Sequence, residues 1–170
     1  MKRILAILLA VMLLVAVMPA TSLAAGIAGN GETKVYHVQT RGNVLHLRAS
    51  AGTGSKIVAR LANGTALVKV SSKTVRKNGY IWINVKTMKG QKGWVASSYV
   101  KDNAHADVKT QKSGLNVRKG RGDSYKVLYS IPHGTKGVTV YKTNGNWAYV
   151  NWKSKGKGWA SLSYLEWALW

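Results

Sequence analysis

Apolar residues are spread along this chain in two ways. From Ile4 to Val17 every residue is apolar, in the run ILAILLAVMLLVAV. Much further on, apolar residues take alternate positions. Leu115 and Val117 alternate with Asn116 and Arg118, Val138 and Val140 with Thr139 and Tyr141, Ala148 and Val150 with Trp147 and Tyr149. Period two with one apolar face predicts half-buried strands. Turn signals separate them at short intervals: GTGS, ANGT and KNGY, then GRGDS, PHGT, TNGN and KGKG. No sustained helical period with caps follows the first apolar run. About five short strands in roughly 60 residues cannot cover a flat sheet, whereas closing it into a small barrel buries the apolar face and removes edges. The expected fold class is all-β.

The first apolar run follows the basic start Met1 to Arg3 and is followed by Met18, Pro19 and the small-residue stretch ATSLAA. Basic start, apolar middle and small-x-small end make up a secretory signal peptide, expected over residues 1–24 with cleavage after Ala24. Fourteen apolar residues at ~1.5 Å each reach about 21 Å, short of the ~30 Å needed for a membrane-spanning anchor. The expected product is secreted, with no stable membrane anchor after cleavage.

A phrase written twice organises the rest. QKGWVASSYV ends near residue 100 and GKGWASLSYL near residue 165. Laying residue 45 on residue 115 pairs LHLRASAGTGSKIVARLANGTALVKV with LNVRKGRGDSYKVLYSIPHGTKGVTV. Leu45, Arg48, Gly52, Gly64, Thr65 and Val68 recur as Leu115, Arg118, Gly122, Gly134, Thr135 and Val138. The first copy then carries five extra residues within SSKTVRKNGY, after which Trp82, Val85, Gly93, Trp94 and Tyr99 match Trp147, Val150, Gly158, Trp159 and Tyr164. The chain is a tandem duplication, with the insertion expected in a variable turn.

The second copy, from LNVR through NWAYV to GWASLSYL, resembles the bacterial SH3-like domain family, and the first is similar to a more divergent member. The first copy departs from the pattern at His46 and Leu47, and the proline common after L-N-V-R is missing from both copies. The resemblance implies two tandem SH3-like β-barrels of a module that commonly binds peptidoglycan or its peptides. The expected division is a flexible lead-in at 25–33, barrel one at 34–100, a polar linker at 101–105, barrel two at 106–166 and a tail at 167–170.

Charge narrows the partners. The chain has no cysteine, so no disulfide can hold it, and its formal charge is +21. Removal of Lys2 and Arg3 leaves 24 of the 26 basic residues against five acids, a charge of +19 spread through the mature chain. Such a field attracts anionic polymers. The signal peptide points it toward anionic wall polymer and away from nucleic acid.

Catalytic chemistry finds few residues. Four of the acids (Glu32, Asp102, Asp107, Glu166) lie in the flanks or the linker, and Asp123, inside a repeat, faces Thr53 in the other copy. His37, His46, His105 and His133 show no metal-ligand spacing. The sequence therefore reads as non-enzymatic, with no cofactor and no metal.

Aromatic residues carry the binding reading. Alternation places Ile83, Val85, Ala148 and Val150 inward and Trp82 and Trp147 outward, with Tyr149 on the face of Trp147. The S-x-Y ends carrying Tyr99 and Tyr164 resemble the tyrosine-bearing last turn lining the peptide groove of SH3-like barrels. The candidate ligand-binding set is Trp147, Tyr149, Tyr164, Trp82 and Tyr99; the same rings could instead cap the barrels or pack one on the other. Trp94 and Trp159, each after a glycine, are expected to seal the cores. Lys86, Lys89 and Lys92, with Lys153, Lys155 and Lys157, are expected to stand beside the outward rings and draw in anionic polymer. The function these readings support is recognition of the cell wall through two modules. The alternative is an accessory subunit that directs a wall hydrolase or another extracellular partner. Oligomeric state is left open.

Overall fold

The computed structural model describes residues 31–169. The expected signal peptide, most of the lead-in and Trp170 lie outside the described residues.

The first copy contains β1 (Thr33–Val38), β2 (Leu45–Arg48), β3 (Ile57–Leu61), β4 (Ala66–Lys77), β5 (Tyr80–Thr87) and β6 (Lys92–Ala96). A single 3-10 turn at Ser97–Tyr99 then leads to β7 (Val100–Asp102). The second repeats the plan with β8 (Ala104–Val108), β9 (Leu115–Arg118), β10 (Val127–Ile131), β11 (Val138–Asn144), β12 (Trp147–Asn151) and β13 (Lys157–Ser161), a turn at Leu162–Tyr164, and β14 (Leu165–Trp167). Strand order is β3-β2-β6-β5-β4-β1-β7 in one and β10-β9-β13-β12-β11-β8-β14 in the other, all antiparallel. The duplication seen in the residues is a duplication of topology, and the all-β expectation holds.

Alternation sets the interiors. Val38, Leu45, Leu47, Leu61, Leu67, Ile83, Val85 and Val95 form one core. Leu115, Val117, Ile131, Val138, Val140, Ala148, Val150 and Leu162 form the centre of the other. The second core does not stop at its own copy: Val35, Ala66 and Val68 of the first belong to it. The two copies are also joined edge to edge. Thr33 and Lys34 of β1 pair with Thr143 and Lys142 of β11, and the remainder of β1 pairs with β4 and β7. Glu32 adds an ion pair to Lys142 at 2.7 Å. Thr33 therefore belongs to a strand rather than to a flexible lead-in.

The expected linker at 101–105 is strand on both sides of Asn103. Asn103 turns the chain with φ 70°, its N–H bonded to Val35 O, and His37 Nδ1 donates to Asn103 O at 2.8 Å. Ala104 and Ala106 are fully buried. The polar residues of KDNAHA had concealed an alternation in which the small residues point inward. The expected tail is likewise strand at its start, since Trp167 pairs with Ala106 and packs on the second core.

The repeated glycine before tryptophan has a steric cause. A Cβ on Gly93 would lie 2.6 Å from Arg48 O, and one on Gly158 would lie 2.8 Å from Arg118 O and 2.5 Å from Val117 Cγ1. Only glycine lets β6 and β13 approach β2 and β9 so closely. Gly158→Ala should therefore cost about 1–3 kcal/mol of stability through overpacking, read as a lowered urea midpoint.

Candidate functional site

Each copy has a groove at the same place, built from the same repeat positions. The first is lined by Thr40, Leu45, His46, Arg48, Trp82 and Tyr99 among others, with a volume of about 890 Å³. The second is lined by Thr110, Leu115, Asn116, Arg118, Trp147 and Tyr164 at the matching positions, with a volume of about 510 Å³. The chain enters each groove through the same loop, closed in one copy by a Thr40 Oγ1 bond to Asn43 O and in the other by Thr110 Oγ1 to Ser113 O at 2.6 Å. The 3-10 turn after β6 or β13 then delivers Tyr99 or Tyr164, 40% and 49% exposed, to the rim. A flat ring beside hydrogen-bonding groups suits extended peptides and sugars.

The five-residue insertion explains why the grooves differ in size. It lengthens the β4–β5 hairpin, whose register shifts between Lys69 and Thr74 and whose tip is Asn78-Gly79. Both tip residues have positive φ, as a two-residue hairpin turn requires. The tip docks on the neighbouring loop, where Asn78 Oδ1 accepts from Thr53 N at 3.1 Å. This added wall deepens the first groove. It also covers Trp82.

Trp82 does lie on the face away from the core, as alternation requires, but it is only 3% exposed. Its Nε1 donates to Lys77 O at 2.9 Å, and Tyr80 stands edge-on over it with centroids 6.1 Å apart. The expectation of an exposed ring at Trp82 is thus corrected. Trp147, whose hairpin is shorter, stays half-buried. Tyr80 is a second rim aromatic of the first groove, 6.4 Å from Tyr99 and absent from the candidate set. Its position inside the insertion was its only sequence signal.

Tyr149 shares the outer face with Trp147 but does not line the groove. It packs on Trp159 at 5.1 Å and on Tyr141 at 6.5 Å. Trp159 is buried on that outer face, not in the core, under Arg121 and Lys142, each 5.5 Å from its ring. Trp94 is half-buried on the equivalent face. The expectation that these two rings seal the cores fails because Gly93 and Gly158, one residue earlier, take the inward positions.

The lysines stand elsewhere as well. Trp82 pairs with Ala96 at one end of its hairpin and Lys86 with Lys92 at the other, four residues away, or about 13 Å at ~3.3 Å per residue. In the second copy Trp147 pairs with Ser161, whereas Asn151 pairs with Lys157. Lys89, Lys153 and Lys155 lie in or beside the far turns. Lys153 and Lys155 sit over Trp152 at 5.1 and 5.9 Å, and Lys157 over Tyr141 at 4.2 Å. None of the six stands beside a groove.

Arg48 and Arg118, which the sequence shows only as matching repeat positions, line the two grooves at equivalent places. Arg48 Nη1 donates to Ser55 O at 2.6 Å and Arg118 Nη1 to Tyr125 O at 2.9 Å, so both guanidinium groups are held in the same pose. Arg118 Nη2 lies 3.6 Å from Asp123, while Arg48 Nη2 lies 3.4 Å from His46 Nδ1.

Carboxylates are not arranged as an acid and base pair. Burial pushes the Asp107 carboxyl up, but its bonds to Lys136 Nζ at 2.6 Å and the Gly137 N–H at 3.1 Å outweigh burial and hold it below the usual range. A group held ionised in this way is a poor general acid. Among the described residues no three His, Cys, Asp or Glu form a metal-binding group.

The family model described as bacterial SH3 domain matches the chain twice, at residues 43–101 and 113–166. The putative N-acetylmuramoyl-L-alanine amidase YrvJ of Bacillus subtilis is 25% identical over 130 residues, which cover 71% of this chain. This chain spans 24% of that protein's length. Two solved structures are also similar. NlpC2 from Trichomonas vaginalis has a TM-score of 0.40 at 11% identity, over 82% of this chain and 49% of the other. NlpC1 from the same organism has 0.37 at 13%, over 79% and 45%.

Proposed function

The chain belongs to the bacterial SH3 domain family, with two domains in tandem, and on that basis we propose that it is a non-catalytic, exported protein that binds the cell wall through its two grooves. The ligand class is peptidoglycan, through its peptide or its glycan. The observation that carries this reading is the same aromatic-and-arginine groove built twice from matching positions. Association with the wall outside the cell is supported by the amidase named among its relatives and by the signal-like start. The lysines at the far hairpin turns add a longer-range attraction for anionic wall polymer, separate from the grooves.

That relative also favours a second reading, in which the chain serves as the targeting part of a hydrolase system and directs a catalytic partner to wall polymer. Both readings need the grooves to hold peptidoglycan itself. The test is co-sedimentation with purified peptidoglycan stripped of its anionic polymers. Retention on the stripped material is expected; retention only on the unstripped material would reduce the protein to a polycation.

A further inference from the structure

The geometry points to two grooves of unlike charge: the first accepts a peptide whose end is a free carboxylate, and the second does not distinguish that end from a neutral one. The inference rests on the grooves being peptide sites and adds the ligand chemistry that separates them.

Matching positions of the two grooves differ in charge. The first groove is lined by Arg41, Arg48, Lys101 and His46, with no acid among its lining residues. In the second, Gln111 stands at the position of Arg41 and Asn116 at that of His46. The position of Lys101 holds Glu166, which is itself paired with Lys109 at 2.7 Å. The decisive exchange is Thr53 for Asp123. Both arginines are anchored by the same Nη1 bond to a backbone oxygen, and the two copies differ in what stands beside the second guanidinium nitrogen. In the second groove Asp123 stands there, 3.6 Å away. In the first groove Thr53 stands at that repeat position in place of an acid, and the neighbour of Arg48 Nη2 is His46 Nδ1 at 3.4 Å, so no carboxylate of the chain competes with a ligand's for this arginine. A guanidinium offers parallel donors that fit a carboxylate better than any neutral group. Asp123 is 90% exposed on its side chain, so its pair with Arg118 adds little to folding. Its negative charge still offsets the pull of the same arginine on an arriving carboxylate, leaving little preference between charged and neutral ends.

The divergence is local and can be reversed. Thr53→Asp supplies the missing acid to the first groove, and Asp123→Thr removes it from the second. Each groove carries its own reporter, since Trp82 lines one and Trp147 the other. The experiment is a 15N titration of the full chain, following the two indole N–H signals. The probes are the tetrapeptide stem released from peptidoglycan, as free acid and with its terminal carboxyl amidated. At the Trp82 signal the free acid should bind roughly tenfold tighter than the amide, as one charge-assisted pair gives. At the Trp147 signal the two forms should agree within about threefold. Thr53→Asp should bring the first ratio to near parity, and Asp123→Thr should raise the second, with thermal midpoints unchanged in both variants. Equal ratios at the two grooves, or ratios that ignore the exchanges, overturn the proposal while leaving wall binding intact. If neither signal moves with either peptide, the proposal falls; co-sedimentation with stripped peptidoglycan then decides whether the wall reading falls with it.

Discussion

Replacing Trp82 with alanine should cost the fold about 3–5 kcal/mol, the range for removing a large buried ring. The same change at its repeat partner Trp147 should cost less than about 1 kcal/mol, as for a partly exposed side chain. The two residues occupy one position in the repeat, yet only Trp82 is enclosed. Its indole N–H satisfies Lys77 O, and that bond ties β5 to the far end of the β4–β5 hairpin. Truncation would leave a cavity and remove that bond. Trp147 lacks this enclosure because its hairpin is short, so its truncation should act on ligand binding instead, by roughly 2 kcal/mol if it anchors ligand. Urea unfolding of the two variants measures the contrast. Equal losses at both positions would mean that the hairpin does not enclose Trp82.

Cutting the chain between Asp102 and Asn103 should damage both halves. Val35 and Val68 lie in the core of the second copy together with Ala104, Ala106, Val138 and Val140. At ~1.5–3 kcal/mol for each buried valine, the pair contributes about 3–6 kcal/mol that neither fragment keeps. A domain of some 70 residues has only about 4–10 kcal/mol in total. The cut also strips β1 from Thr143 and Lys142 of β11, baring backbone donors and acceptors. The intact protein should melt in one cooperative transition. Each fragment should melt at least ~12 °C lower, at ~4 °C or more per kcal/mol for domains of this size. Fragments that melt at the temperature of the intact chain would show two independent barrels.

Strand positions, the duplication and the inward residues Val85, Ala148 and Val150 were legible because period two encodes them directly. What covers an outward residue was not legible. Alternation put Trp82 on the correct face, but its burial depends on the inserted hairpin folding back, which is a tertiary event. The linker misled for a related reason. In KDNAHA the inward positions are alanines, which alternate as regularly as valines but add little hydrophobic signal. The lysines were misplaced by proximity in sequence: Trp82 lies near the start of β5 and Lys86 near its end, and a strand carries its two ends apart. Arg48 and Arg118 were visible as repeat matches, yet an arginine on a strand's polar face is ordinary. Only the fold brings each under a tyrosine rim.

The central claim is that the grooves, and not the charge, hold the protein to the wall. Tyr99→Ala combined with Tyr164→Ala removes one exposed rim ring from each groove and should leave the cores untouched. The direct measurement is the affinity of this double variant for peptidoglycan stripped of anionic polymer, at about 0.15 M salt, where screening acts beyond ~8 Å, and at about 1 M, where it acts beyond ~3 Å. The account predicts that the parent protein binds at both salt concentrations and that the variant is weaker by at least about tenfold at both. A variant that binds as the parent does, with both released at high salt, would contradict it.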